Sequence, residues 1–160
     1  MISHLNKRNK PKIVDISMKK VSRRIAIAEG IVKFSKSTFK KIESLKTKKG
    51  EIKSIAIIAG IIAAKKTSDL IPLCHNIEIE NINIDIKSLN KLSSLKVIST
   101  VKSKSKTGVE MEALTAVSIA CLTIYDMCKS LDKNIVIKNT HLIKKIGGKS
   151  DYSNIKIKKS

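Results

Sequence analysis

From Val109 to Leu131 the chain reads as a single long helix, apolar on nearly every side through Leu122. A helix without a polar stripe has to be wrapped by other elements, so this segment sets the centre of whatever the chain folds into. A bilayer is not the expected wrapping. No uninterrupted apolar run reaches the roughly 18 residues of a membrane span, and the longest, Ile55 to Ala64, ends in Lys65 and Lys66. With 160 residues, 42% of them hydrophobic, the chain suffices for one domain with its own core.

The flanking segments show what wraps it. Arg24 to Phe34 alternates, with Ile25, Ile27 and Ile31 on one side, and predicts a strand. Ile77 to Ile86 alternates more cleanly, with a one-residue phase slip at Glu80-Asn81 that predicts a β-bulge. Leu95 to Lys102 alternates again, with Val97, Ser99 and Val101 on one face, so these two runs pair as an antiparallel hairpin across Ser88 to Ser94. Ile135 to Ile146 reads as a further strand and Gly147-Gly148-Lys149 as a turn. Ile13 to Ile16 is expected to be a short strand, and Ile155 with Ile157 an edge strand. Two more helices are predicted. One covers Thr38 to Leu45, capped by Ser35 or Ser37. The other covers Glu51 to Lys66, burying Ile52, Ile55, Ala56, Ala59, Ile62 and Ala63. Lys46 to Gly50 reads as a loop, and Ile71-Pro72-Leu73-Cys74-His75 as a link that the core must hold. Strands and helices are grouped rather than strictly alternating, which predicts an α+β fold, an antiparallel sheet with helices packed on one face. Residues 1–12 are basic and polar and read as a flexible arm. Residues 13–158 then form the single domain.

The formal charge of +20 points toward anionic partners, nucleic acid among them. Two features weigh against nucleic acid. Only Arg8, Arg23 and Arg24 among the 33 basic residues carry the guanidinium fork that reads phosphates and guanine. Aromatics make up 2% of the chain, too few for a platform on which bases stack. A nucleoside triphosphate would still be drawn in. Cys74, Cys121 and Cys128 are odd in number and contain no CxxC pair, which argues against a disulfide framework or a zinc site. Cys121 and Cys128 share a helix face and read as buried free thiols. The N-terminus lacks the apolar core of a secretory signal, so a cytoplasmic location is expected.

Chemistry-bearing side chains gather on the long helix. Glu112 and Asp126 lie within about 40° on one face but about 20 Å apart along the axis. They serve two sites, or a second chain brings one of them to the other. Asp126 and Lys129 sit in an apolar stretch where a carboxylate and an ammonium would perturb each other; spacing alone favours the plainer reading of a surface i,i+3 pair. Glu110 and Glu112 in the first turn read on spacing as partners of the helix dipole. His75, beside Cys74, reads on position as a hydrogen-bonded core histidine, and adjacent Cys-His is poor geometry for a metal. Gly147-Gly148-Lys149-Ser150 lacks the spacing and following helix of a P-loop.

Four segments taken together carry a stronger signal. Lys65-Lys-Thr-Ser-Asp69-Leu-Ile-Pro-Leu-Cys-His75, Lys106-Thr-Gly-Val-Glu-Met-Glu-Ala-Leu-Thr-Ala116, Leu122-Thr-Ile-Tyr-Asp-Met-Cys-Lys129 and Gly147-Gly-Lys-Ser150 resemble the signature segments of the cyclic pyranopterin monophosphate synthase family (molybdenum cofactor biosynthesis protein C). They occur in that family's order, almost without gaps, from about Asp15 to Ser150. The resemblance implies a ferredoxin-like protomer and a homohexamer built as a trimer of dimers, with sites at the dimer interface. It implies a phosphorus–oxygen lyase acting on 3′,8-cyclo-7,8-dihydroguanosine 5′-triphosphate, with no resident cofactor or metal beyond a divalent cation that the triphosphate can carry. Carried over residue by residue, it implies catalytic roles for Asp126, Lys49 and Lys129. Leu73, Cys74, His75, Glu110, Met111 and Glu112 would contact substrate, and Lys65, Arg24 and Lys149 would meet phosphates. Lys66 and Ser68 depart from the Arg or bulky aromatic common in the family.

Overall fold

The structure, a computed structural model, describes residues 4–6, 8–44 and 46–154, with residues 46–50 described by their backbone alone. The chain runs β1 (Ser22–Lys33), α1 (Lys36–Ser44), α2 (Lys46–Lys65), the single turn α3 (Thr67–Leu70), β2 (Asn81–Leu89), β3 (Ser94–Ser105), α4 (Glu110–Cys128), β4 (Val136–Ile146) and the short β5 (Tyr152–Ser153). The strands form one antiparallel sheet in the order β2-β3-β1-β4-β5. With α1–α3 between β1 and β2 and α4 between β3 and β4, this is the β-α-β-β-α-β order of a ferredoxin-like α+β fold.

Side-chain size explains how the layers meet. The inward face of β1 is Ala26, Ala28 and Val32, and that of β3 is Val97, Ser99 and Val101, all fully buried. α4 lies on this face through Ala113, Ala116, Val117, Ala120, Cys121 and Ile124, also fully buried, and Ser99 Oγ donates to the carbonyl of Ala113 at 2.7 Å. By length and composition alone α4 would suit a membrane span. Here β1, β3, β4 and α2 take most of its faces, while Leu122 and Met111 stay exposed. α2 and α4 approach closely at Gly60, where a Cβ would stand 2.8 Å from the carbonyl oxygen of Ala116 and 2.5 Å from Ile84 Cδ1.

That close approach overturns part of the expected buried face of α2. Ala56, Gly60, Ala63 and Ala64 are buried, whereas Ile55 and Ile62 are 45% and 51% exposed, beside Ile58 at 57%. The bulky residues cannot enter a contact that only small ones fit, so they line the outer face. The helix also begins at Lys46, so the loop expected over Lys46 to Gly50 is helical backbone. Ile13 to Ile16 forms no strand, because the Val14 carbonyl bonds a side chain, accepting from His75 Nε2 at 2.7 Å. The phase slip at Glu80-Asn81 marks the start of β2 rather than a bulge within it. Ile77 and Ile79 precede the strand, and their segment is held by Ser103 Oγ donating to the Glu78 carbonyl at 2.7 Å and by the Glu80 amide donating to Lys102 at 3.0 Å.

The cap of α1 and the hairpin fall where expected. Ser35 caps α1, its Oγ accepting from the Thr38 amide at 3.3 Å. The β2–β3 hairpin closes through a 3-10 turn over Asn90–Leu92. Leu45, Ile155 and Ile157 lie outside the described residues. On β4 the pairing passes from Ile27↔Lys144 to Ala28↔Leu142, which leaves Ile143 unpaired with β1. Its carbonyl instead accepts from the Asn154 amide at 2.7 Å, extending the sheet toward β5.

Candidate active site

The turn that leaves β3 and starts α4 separates two adjoining cavities. The larger, about 570 Å³, is bounded by Lys19, Lys20, Arg24, Lys106, Lys145 and Lys149, with Glu110 as its acidic member. Its walls are set by backbone geometry. Arg24 Nε and Nη2 donate to the carbonyls of Ser105 and Lys106, both at 3.3 Å, which holds the guanidinium at the end of β3. Gly147 turns the chain at φ +92°, and any side chain there would collide with the Arg23 carbonyl. Its amide donates to Asp151 Oδ1 at 2.9 Å, and its carbonyl accepts from Ser22 Oγ at 3.0 Å. Lys145 pairs with Glu110 at 3.3 Å, so the acid is compensated and the cavity remains strongly cationic. A polyphosphate suits such a surface.

The smaller cavity, about 290 Å³, is bounded by Leu73, Cys74, His75, Met111 and Glu112, with His4 from the N-terminal segment. Thr107, Gly108 and Glu110 belong to both cavities, so the two open onto each other across the N-terminus of α4. Glu112 is 3% exposed, and its Oε2 has no hydrogen-bond partner. Burial is the main force raising its carboxyl from an ordinary 4.5 to about 7; the neighbouring Glu110 charge adds to this, while a bond to its own backbone amide pulls the other way. An acid poised near neutrality on a cavity wall can give or take a proton there. The carbonyl of Val14 requires His75 Nε2 to donate, so a neutral His75 keeps its lone pair on Nδ1. Cys74 is half-buried, and its thiol is raised by burial first and by Glu112 second.

Asp126 and Lys129 lie at the other end of α4. They border a third concavity of about 430 Å³ with Ile119, Leu122, Thr123 and Tyr125. Their 2.7 Å ion pair is 68% and 60% exposed. Ile124 and Cys128 turn inward and are fully buried, while Asp126 and Lys129 emerge outward, so the apolar neighbours do not enclose the pair in a single chain. The Asp126 carboxylate, as hydrogen-bond acceptor and as charge, raises the Lys129 ammonium above its ordinary value. At 1.5 Å per residue, Asp126 lies about 20 Å from Glu112 along the helix axis.

The structure thus brings Arg24 and Lys149 to the cationic cavity, and Leu73, Cys74, His75, Met111 and Glu112 to the smaller one, with Glu110 between them. Asp126 and Lys129 stand apart. Lys65, exposed at the end of α2, lines none of the three cavities. The Lys49 side chain lies outside the described residues. Cys121 and Cys128 are buried free thiols as expected, and burial pushes Cys121 up to about 12. Sequence reasoning passed over His4, Lys19, Lys20, Lys106 and Lys145. Lys106 opens one of the quoted segments, but no single lysine stands out in a chain with 33 basic residues.

Comparison with known proteins matches residues 13–148 to the MoaC family. The chain is 49% identical over 150 residues to the cyclic pyranopterin monophosphate synthase of Lysinibacillus sphaericus, covering 92% of this chain and 94% of that protein. It is 48% identical over 154 residues to the protein of the same name from Helicobacter pylori, covering 96% and 98%. It is 50% identical over 153 residues to that of Clostridium botulinum, covering 95% and 96%.

Proposed function

The chain belongs to the MoaC family, and from that premise we propose that it is a cyclic pyranopterin monophosphate synthase. Its substrate is 3′,8-cyclo-7,8-dihydroguanosine 5′-triphosphate, and its products are cyclic pyranopterin monophosphate and diphosphate. The observation that carries this reading is the pair of adjoining cavities, one ringed by six cationic side chains and the other walled by Glu112, Cys74 and His75. That pairing suits a ligand with a polyphosphate at one end and a heterocycle at the other.

The conversion opens C–N bonds of the cyclonucleotide, closes the pterin ring, and ends with an alkoxide attacking the α-phosphorus while diphosphate leaves. Arg24, Lys106 and Lys149 neutralise the triphosphate and the leaving diphosphate. Glu112 exchanges protons at the ring, and Leu73, Cys74, His75, Glu110 and Met111 seat it. Asp126 as general acid/base, with Lys49 and Lys129, completes the proton transfers. A divalent cation, if used, arrives on the triphosphate.

Since Asp126 and Lys129 stand about 20 Å from Glu112 on one helix, they reach the ring only from a second copy. The working unit is therefore a dimer with shared sites, assembled three times into a hexamer. Exposed Ile55, Ile58 and Ile62 on α2 and Leu122 on α4 supply apolar surface for such packing. Three free thiols suit the cytoplasm. Purified protein given the cyclonucleotide should release one diphosphate per cyclic monophosphate formed. Lys49→Ala and Asp126→Ala should abolish release with the fold intact by circular dichroism. A wild-type chain without turnover sinks the reading, and near-normal activity in either variant removes that residue's assigned role.

A further inference from the structure

Among the described residues, two buried side-chain polar atoms have no hydrogen-bond partner, Nδ1 of His4 and Oε2 of Glu112. Both residues line the smaller cavity. Such atoms are scarce in native proteins, and each calls for an explanation, a catalytic role or a bound partner among them. Both occur in one cavity, from segments more than a hundred residues apart, so a single bound molecule could meet them together.

The path of the N-terminal segment explains how His4 reaches this wall. Downstream, the chain is tied to the site at two points: His75 Nε2 donates to the Val14 carbonyl at 2.7 Å, and Lys106 Nζ donates to the Ser17 carbonyl at 2.7 Å. Upstream of these ties it folds back on itself. Leu5 bridges to Pro11, and the Lys12 amide donates to the His4 carbonyl at 2.9 Å. Asn6 Oδ1 accepts from the amides of Arg8 and Lys10 at 2.8 and 3.0 Å. The turn is closed by its own bonds, anchored beside the cavity, and carries one imidazole to the wall.

We propose that this N-terminal turn is a strap across the smaller cavity, and that His4 is a substrate-positioning residue which, together with Glu112, hydrogen-bonds the edge of the bound heterocycle. The inference rests on the function proposed above. It adds a residue from the arm that the sequence set outside the catalytic domain. A guanine-derived ring carries adjacent N–H donors and a carbonyl acceptor on one edge, and a carboxyl with an imidazole nitrogen matches that set. Both groups can act as donor or acceptor, so the pair can follow the ring as its protons are redistributed.

The test compares wild type, His4→Leu and His4→Asn in the full chain. The asparagine amide stands where Nδ1 stands; leucine keeps the bulk and removes the polar atom. Binding of GTP, as an unreactive ring-bearing probe, and of inorganic tripolyphosphate is read by calorimetry, and turnover of the cyclonucleotide by diphosphate release. His4→Leu should weaken GTP binding and raise KM by about 10-fold, with kcat held within about twofold. His4→Asn should recover most of the loss, and tripolyphosphate should bind all three proteins alike. Unchanged GTP binding in His4→Leu overturns the proposal. So do equal losses in both variants, which would mean a packing role, and a parallel loss of tripolyphosphate binding, which would place His4 at the phosphates. Absence of turnover in the wild type strikes the enzymatic reading instead, while the GTP measurement still decides the role of His4.

Discussion

Glu112 shows how one position can set stability against the role proposed for it. Its carboxyl is raised from 4.5 to about 7 by burial, so between those values the folded chain keeps a proton that the unfolded chain releases. Its contribution to stability is therefore present in full below about pH 4.5 and is lost as the pH rises through 7, by at most about 3 kcal/mol. Urea unfolding of the wild type should show this fall between pH 5 and 8, and Glu112→Gln should show a flatter profile while losing activity. Equal pH profiles for the two would show that the carboxyl is not buried in the way described. The sequence alone did not disclose this residue's situation. In the first turn of a helix, an acid that complements the dipole and an acid that is buried look the same. Glu112 shares its cavity with the aperiodic link of Leu73, Cys74 and His75 and with His4 of the N-terminal turn, neither of which has a period to read. Asp126 illustrates the reverse: spacing alone favoured a surface i,i+3 pair with Lys129, and that is where the pair stands, because successive helical residues point in different directions.

At the scale of elements, the sequence was most legible where a period ran long enough to count. β1, β3, β4 and α4 fall close to where alternation or continuous apolarity put them, because core burial selects the side chains at every second residue or on the packed arc. It was least legible on α2, where isoleucine and alanine share the apolar positions and only the neighbouring helix decides which go inside. Gly60 decides it. In an exposed helix, alanine would gain about 1 kcal/mol over glycine. Here the new Cβ would stand 2.8 Å from the Ala116 carbonyl oxygen, which cannot move without moving α4. Overpacking of this kind costs about 1–3 kcal/mol, so after the helix gain Gly60→Ala should lower the unfolding free energy by up to about 2 kcal/mol net. A rise in the urea midpoint would show that the helices separate at little cost.

Seen whole, the molecule places its cationic cavity at one end of α4 and its exposed Asp126–Lys129 pair at the other, with an exposed isoleucine stripe on α2. Charge was legible from composition, but its concentration around one cavity was not, since Lys19, Lys20, Lys106 and Lys145 converge only when β1, β4 and the start of α4 meet. The separation along α4 carries a genetic consequence. If every copy lends its far end to a neighbour, chains crippled at opposite ends can rescue each other. Glu112→Gln and Asp126→Ala, each inactive alone, should on refolding together as an equal mixture regain roughly a quarter of wild-type activity, the share of sites that random pairing builds from two sound halves. A mixture as dead as its parents would mean that each chain works with its own residues alone.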